Sequence, residues 1–179
     1  MIKIRPIRTN EIRSAKYIIL KVAYGIFGWD GTFEESIQHF ESSGKLEDMD
    51  NFQSEYFDRD GLFLAVLDNE NLIGCGAIRK MGSQAAELKR MWLLESYQGQ
   101  GVGYRVLQEL FDFARKKGYM RVCLQTSPQQ TRAIDFYHRV GFHEIPSYNS
   151  DTSELSMEIM LTGTNPGKDS SSFQQQEAR

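Results

Sequence analysis

The sequence predicts one mixed α/β domain, in which an antiparallel meander runs into a parallel β-α-β unit with helices on both faces of the sheet. Three observations carry that prediction. Apolar runs of strand length, Leu62 to Leu67, Leu72 to Lys80 and Ala85 to Leu94, follow one another with only turn residues between them. The last of these leads through a glycine-rich turn into a helix-patterned stretch and then another apolar run, Val122 to Thr126, and such a succession closes as a parallel pair with a right-handed crossover. Apolar residues also recur at helical spacing before the meander and after the crossover.

Taken in order, Ile2-Lys3-Ile4-Arg5 alternates and reads as a first strand ended by Pro6. Asn10 is the expected N-cap of a helix to about Phe27, with Ile12, Ala15, Ile19, Val22 and Ala23 on one face and Gly25 and Gly28 at its end. Thr32-Phe33-Glu34-Glu35 has the form of a capping box opening a short helix to about Glu41. Residues 42 to 60 are polar and acidic and are expected to be irregular. The meander follows, with Asp68-Asn69-Glu70-Asn71 as a hairpin turn. Val102, Val106, Leu110 and Ala114 share a face of the next helix, Arg115, Lys116 and Lys117 suit its negative end, and Gly118 suits its C′ position. Ser127-Pro128 reads as N-cap and first residue of a last helix, with Ala133, Phe136, Tyr137 and Val140 on one face and a stop at Gly141. Strands at Phe142 to Ile145 and about Glu154 to Leu161 complete a single domain over 1–161. The Ser- and Gln-rich stretch 162–179 is expected to be a disordered tail.

A chain of 179 residues with 40% hydrophobic and 25% charged residues is long enough and apolar enough for one real core. Its net charge of -3 argues against a general nucleic-acid binder, and the absence of a long apolar span argues against a membrane protein. A cytoplasmic location is expected. Cys75 and Cys123 both fall in strand-like runs and read as small buried hydrophobes. His39, His138 and His143 lack metal-ligand spacing, so no metal site is expected.

Chemistry concentrates at Gln98-Gly99-Gln100-Gly101-Val102-Gly103, between a strand and a helix. Glycines at alternate positions clear side chains from the helix start and expose backbone N–H groups at the positive end of the dipole, a fit for phosphate or pyrophosphate. No Asp or Glu occurs from Ser96 to Gln108, although helix first turns favour acids, so the place is left for an external anion. The dinucleotide fingerprint needs a third glycine where Tyr104 stands, and neither Gly44-Lys45 nor Gly167-Lys168 is followed by the Ser or Thr of a P-loop. Lys89-Arg90 interrupts strict alternation before Met91, either as a β-bulge or as a strand end exposed on both faces.

These residues resemble the GNAT superfamily of acyl-CoA-dependent N-acetyltransferases. The family signature (Gln/Arg)-x-x-Gly-x-(Gly/Ala) is met by Gln98 to Gly103. A later family element is matched by Ala133-Ile134-Asp135-Phe136-Tyr137-His138-Arg139-Val140-Gly141-Phe142, and the order of elements agrees from about Ile2 to Leu161. Many members carry Asn three residues before that Ala; this chain has Gln130, similar to a subset that acetylates amines on small molecules or amino acids. The resemblance implies acetyl-CoA as co-substrate, bound in a splayed gap between strand 85–94 and strand 122–126. Its pyrophosphate would lie on the backbone amides of Gln98, Gly99, Gln100, Gly101, Val102, Gly103 and Tyr104. Its pantetheine would pair with Met91, Trp92 and Leu93 like an added strand, and its thioester carbonyl would be polarised there. Gln130 would contact it from the next helix.

Amine acylation needs two proton transfers, because an alkylamine of pKa about 10.4 arrives protonated. Glu87 is the base candidate: several GNAT enzymes use a Glu at this spacing from the glycine loop, and its alternative role is a surface pair with Lys89 or Arg90. Tyr137 is the acid candidate for the departing thiolate, and its alternative role is a core tyrosine. The acidic stretch Glu47, Asp48, Asp50, Glu55, Asp58 and Asp60, interleaved with Phe52, Tyr56 and Phe57, is read chiefly as a solvated loop whose aromatics fill the core, with an acceptor wall for a cationic amine as the other reading. The expected activity is direct acetyl transfer, in a ternary complex, to a primary amine of a small molecule or amino-acid-like acceptor. A peptide or protein N-acetyltransferase, a non-catalytic acyl-CoA sensor and, remotely, a nucleotide enzyme are the alternatives. A homodimer and a monomer both stay open.

Overall fold

The computed structural model describes residues 1–161, and the expected tail lies outside the described residues. The alternating N-terminal segment forms β1 (Ile2–Pro6). The first helix, α1 (Ile12–Phe27), starts later than Asn10 predicts. Asn10 lies inside a 3-10 turn, Thr9–Glu11, where Glu11 accepts the Arg8 N–H at 2.9 Å and is itself gripped by Arg5 at 2.6 Å. A carboxylate already fixed by a guanidinium thus takes the capping role from the amide. The next helix, α2 (Phe33–Ser43), does open with a reciprocal capping box: Thr32 Oγ1 accepts from Glu35 N–H at 3.2 Å and Glu35 accepts from Thr32 N–H at 2.7 Å.

The stretch expected to be irregular contains two helical turns, α3 (Glu47–Asp50) and α4 (Phe52–Glu55), then a 3-10 turn at Phe57–Arg59. Leu46, Met49, Phe52 and Tyr56 recur at three- and four-residue spacing and are all buried, which fastens this acidic segment to the sheet despite its polarity.

The meander is β2 (Leu62–Asp68), β3 (Asn71–Lys80) and β4 (Ala85–Leu93), antiparallel throughout. Its first turn places Asn69 and Glu70 at φ of 46° and 72°, the left-handed pair that suits the twist of a two-residue hairpin. Then come α5 (Val102–Lys116), β5 (Arg121–Thr126), α6 (Thr131–Val140), β6 (His143–Ile145) and β7 (Leu155–Met160). The last helix starts at Thr131 and not at Pro128, because residues 127–130 close a turn of their own through Gln130 N–H to the Ser127 carbonyl at 2.9 Å. The strands of the described residues join one seven-stranded sheet in the order β1-β2-β3-β4-β5-β7-β6, with β4 and β5 the parallel pair.

Each face of the sheet carries its own core. Leu64, Val66, Ile78, Leu88 and Val122 meet Val106, Leu110 and Phe111 of α5, with Tyr137 and Phe142 alongside. Phe63, Ala65, Leu67, Cys75 and Ala77 meet Ala15 and Ile19 of α1 and the anchors of α3 and α4. The period-two alternation of β2 feeds both sides, which is why that strand reads as continuously apolar. Cys75 and Cys123 are buried and free.

Candidate active site

The parallel pair is short. β4 and β5 are in register only from Ala85 opposite Arg121 to Leu88 opposite Leu124, although β5 runs on to Thr126. From Lys89 onward β4 has no strand on that side among the described residues. The departure coincides with a β-bulge: Cys75 faces Trp92 and Ala77 faces Lys89, so Arg90 and Met91 together oppose Gly76. Arg90 has φ of +54°, a left-handed conformation unusual for a side chain of its size. The slip in alternation at Lys89-Arg90 is this bulge. It sends Lys89 and Arg90 to the α1 face, while Met91 turns to the α5 face. A Cβ at Gly76 would stand 3.0 Å from Met91 Sδ and 2.8 Å from Val106 Cγ1, so only glycine lets the bulged residue seat there.

The strained backbone is pinned from the side chain. Arg90 Nε donates to Asp48 Oδ2 at 3.0 Å and Arg90 Nη2 donates to both Asp48 Oδ1 and the Lys45 carbonyl, the latter at 2.9 Å. Tyr56 Oη also donates to Asp48. Burial opposes the Asp48 charge, yet the Arg90 guanidinium and the Tyr56 hydroxyl outweigh it and hold the carboxyl below its ordinary value. Burial, then the Asp48 charge, pushes the Tyr56 phenol up. Phe52 and Tyr56 therefore plug the core, and Asp48 is committed to the bulge.

Beyond β4 the chain makes a 3-10 turn, Glu95–Tyr97, and Gln98 Nε2 ties back to the Leu93 carbonyl at 2.8 Å. Gly99 and Gly101 have φ of 76° and 73°, so two of the three glycines are required by backbone conformation. Gly101 caps α5 without any side-chain acceptor. The N–H groups of Gly99, Gln100, Gly101, Val102 and Gly103 meet no acceptor among the described residues. A run of unspent amides at the head of a helix is an anion site in waiting. Gly103 faces Met91 and Phe136 of α6, with a Cβ there at ordinary contact distances of 3.7 and 3.8 Å. Arg132, in the first turn of α6, brings Nη2 to 3.5 Å from a Cβ placed on Gly99. Sequence reasoning missed this cation; the only signal was its place in a first turn free of acids.

Glu87 sits on the α1 face within the paired part of β4, opposite Cys123. Its Oε2 accepts from Arg79 Nε at 2.9 Å and its Oε1 accepts from Tyr148 Oη at 3.1 Å. Tyr148 comes from the loop before β7, and burial, reinforced by Glu87, pushes its phenol up. Cys123 is 1% exposed and burial raises its thiol, which keeps it from acting as a nucleophile. Tyr137 belongs to the opposite face, buried against the rings of Phe136 and Phe142. Its hydroxyl makes no hydrogen bond among the described residues, and burial alone holds the phenol protonated. Glu87 and Tyr137 thus flank the sheet where β4 leaves β5. Gln130 spends its Oε1 locally, accepting from Thr126 Oγ1 at 3.0 Å and Ser127 N–H at 3.3 Å. His138 and His143 stand beside Glu144 and Glu158 on the surface. Among the described residues, no group of three or more His, Cys, Asp or Glu is placed to hold a metal, and no helix is long and apolar enough to cross a membrane.

Known proteins resemble this chain in sequence and in fold. The model of the acetyltransferase (GNAT) family matches residues 29–142. Probable N-acetyltransferase 14 of Xenopus tropicalis is 33% identical over 89 residues, which cover 49% of this chain and 43% of that protein. An uncharacterized N-acetyltransferase of Bacillus subtilis, YsnE, is 29% identical over 53% of this chain and 66% of its own length. The chain thus spans about a third to two thirds of the length of the curated relatives it matches. A crystal structure of an N-acetyltransferase from Thermoplasma acidophilum in complex with coenzyme A superposes with a TM-score of 0.75, covering 89% of this chain and 99% of that one at 23% identity.

Proposed function

The chain belongs to the GNAT acetyltransferase family, and on that premise we propose that residues 1–161 form one domain that moves the acetyl group of acetyl-CoA to a primary amine of a small molecule or amino-acid-like acceptor. The observation that carries the reading is the row of unspent amides at Gly99 to Gly103, tied to the end of β4 where that strand parts from β5. Those amides and Arg132 are suited to the pyrophosphate, and the Thermoplasma neighbour of the same fold was crystallised with coenzyme A. Met91 to Leu93, without a strand partner on the gap side among the described residues, offer main-chain groups to the pantetheine arm.

The transfer is a direct one. Glu87 takes a proton from the acceptor ammonium, directly or through water. The freed nitrogen forms a C–N bond to the acetyl carbon while the C–S bond breaks. Tyr137 gives its phenolic proton to the leaving sulfur and regains one from the proton shed by the new amide nitrogen. No covalent acyl-enzyme is needed, in keeping with the burial of Cys123.

Two measurements test the reading. Calorimetry should show coenzyme A binding, weakened about tenfold or more by Gly101→Val, since a branched side chain cannot hold φ of 73° without strain. Free-thiol release from acetyl-CoA should then appear with members of a primary-amine panel. Indifference to coenzyme A at millimolar concentration sinks the proposal.

A further inference from the structure

Lys89 is the surplus cation of the polar face. The bulge places it on the α1 face beside Arg90, two residues along the strand from Glu87 and one past the last β4–β5 pair. The carboxylates that act on it among the described residues are already engaged, Glu87 with Arg79 and Tyr148 and Asp48 with Arg90 and Tyr56. The ammonium of Lys89 has no hydrogen bond or ion pair among the described residues, although the residue is partly buried. Desolvation is therefore offset only at a distance, by Glu87 and Asp48, at a place where acceptor and thioester are to meet.

We propose that Lys89 receives a carboxylate of the acceptor, so that the substrate class is an α-amino acid or close amino-acid analogue carrying a free amine and a free carboxylate. The inference rests on the acetyl-transfer reading and deepens it. Glu87 and Lys89 point to the same face about 7 Å apart along the strand, a spacing at which two long side chains can hold the amine and the acid of one small molecule. Burial lowers the proton affinity of Lys89, with Arg79 and Arg90 adding to the effect and Glu87 and Asp48 opposing it. An incoming carboxylate reverses that loss, and binding is correspondingly favoured. Neither Arg79 nor Arg90 is free to serve instead, since each already holds its own carboxylate.

The test uses the full chain and a panel of free amino acids, each with its methyl ester. The quantity read is the ratio of kcat/KM for acid over ester, compared between wild type and Lys89→Met, which cancels differences in amine basicity. Lys89→Met should lower that ratio about 10- to 100-fold, mainly through KM for the free acid, the range expected for loss of a charge-assisted hydrogen bond. Lys89→Arg should restore most of the preference, and Lys89→Gln provides a second neutral variant should the first fold poorly. Coenzyme A binding by calorimetry is measured on every variant. Coenzyme A binding with an acid-to-ester ratio that is the same in wild type and Lys89→Met overturns the carboxylate site and leaves the glycine-loop reading intact. Failure of wild type to bind coenzyme A overturns both.

Discussion

Asp48→Asn isolates the tie between the acidic segment and the bulge. The substitution keeps the shape of the side chain and removes the charge that Arg90 and Tyr56 share. Asp48 and Arg90 are 14% and 18% exposed, so the variant leaves a mostly buried guanidinium with no counter-charge, and Lys89 nearby adds to the excess. Breaking a fully buried pair from one side costs about 3–5 kcal/mol. With an edge of each group still in water, about 2–3 kcal/mol is the reasoned loss here. For a domain of this size that lowers Tm by roughly 4–12 °C. The pH dependence has a definite sign. The folded Asp48 carboxyl lies below its ordinary value, so its stabilisation is complete above about pH 4 and disappears as the pH falls further through the folded value. Thermal denaturation of wild type and variant should therefore differ most near neutrality and converge in acid. The double variant Asp48→Leu with Arg90→Met, which removes both charges, should melt above Asp48→Asn. Tm values within 2 °C at neutral pH, or a gap that persists in acid, would refute the assignment of Asp48 as the anchor of the bulge.

Three further outcomes are expected. Tyr137→Phe should lower kcat about 100-fold or more while leaving Tm nearly unchanged, because the hydroxyl it removes has no hydrogen-bond partner among the described residues; activity and melting measured together check this. Glu87→Gln should lower turnover with coenzyme A binding preserved in calorimetry, since Glu87 lies within the paired stretch of β4 and not on the glycine loop. Gly74→Ala should destabilise by about 2 kcal/mol or more in denaturant titration, because its Cβ would meet the Trp92 carbonyl at 2.5 Å and force β3 off β4 beside the bulge.

What sequence could reveal here was local. Alternation and turn chemistry located every strand of the meander, and the glycines at alternate positions marked the loop whose φ values require them. Even the bulge left a trace, because two polar residues in succession cannot both obey a period of two. The anchors of the site were hidden for a different reason. Arg90 meets Asp48 across 42 residues of chain and Tyr148 meets Glu87 across 61, and no local pattern encodes such pairings. The segment from 42 to 60 misled by composition: its acids are numerous enough to mask Leu46, Met49, Phe52 and Tyr56, whose spacing is helical and whose side chains are buried. Ser127-Pro128 misled by chemistry, since a good cap followed by proline was used for a turn, and the Gln130 side chain took over the loop.

The position of β7 has a consequence for how the molecule is made. It is the last strand among the described residues, yet it is inserted between β5 and β6 and pairs with β5 across six residues, from Arg121 opposite Met160 to Thr126 opposite Leu155. A nascent polypeptide whose residues 155–160 still sit in the ribosome presents β5 as a naked edge, and β6 has no neighbour to join. Completion of the sheet must then wait for release of that segment, and chaperone protection during synthesis matters most in this interval.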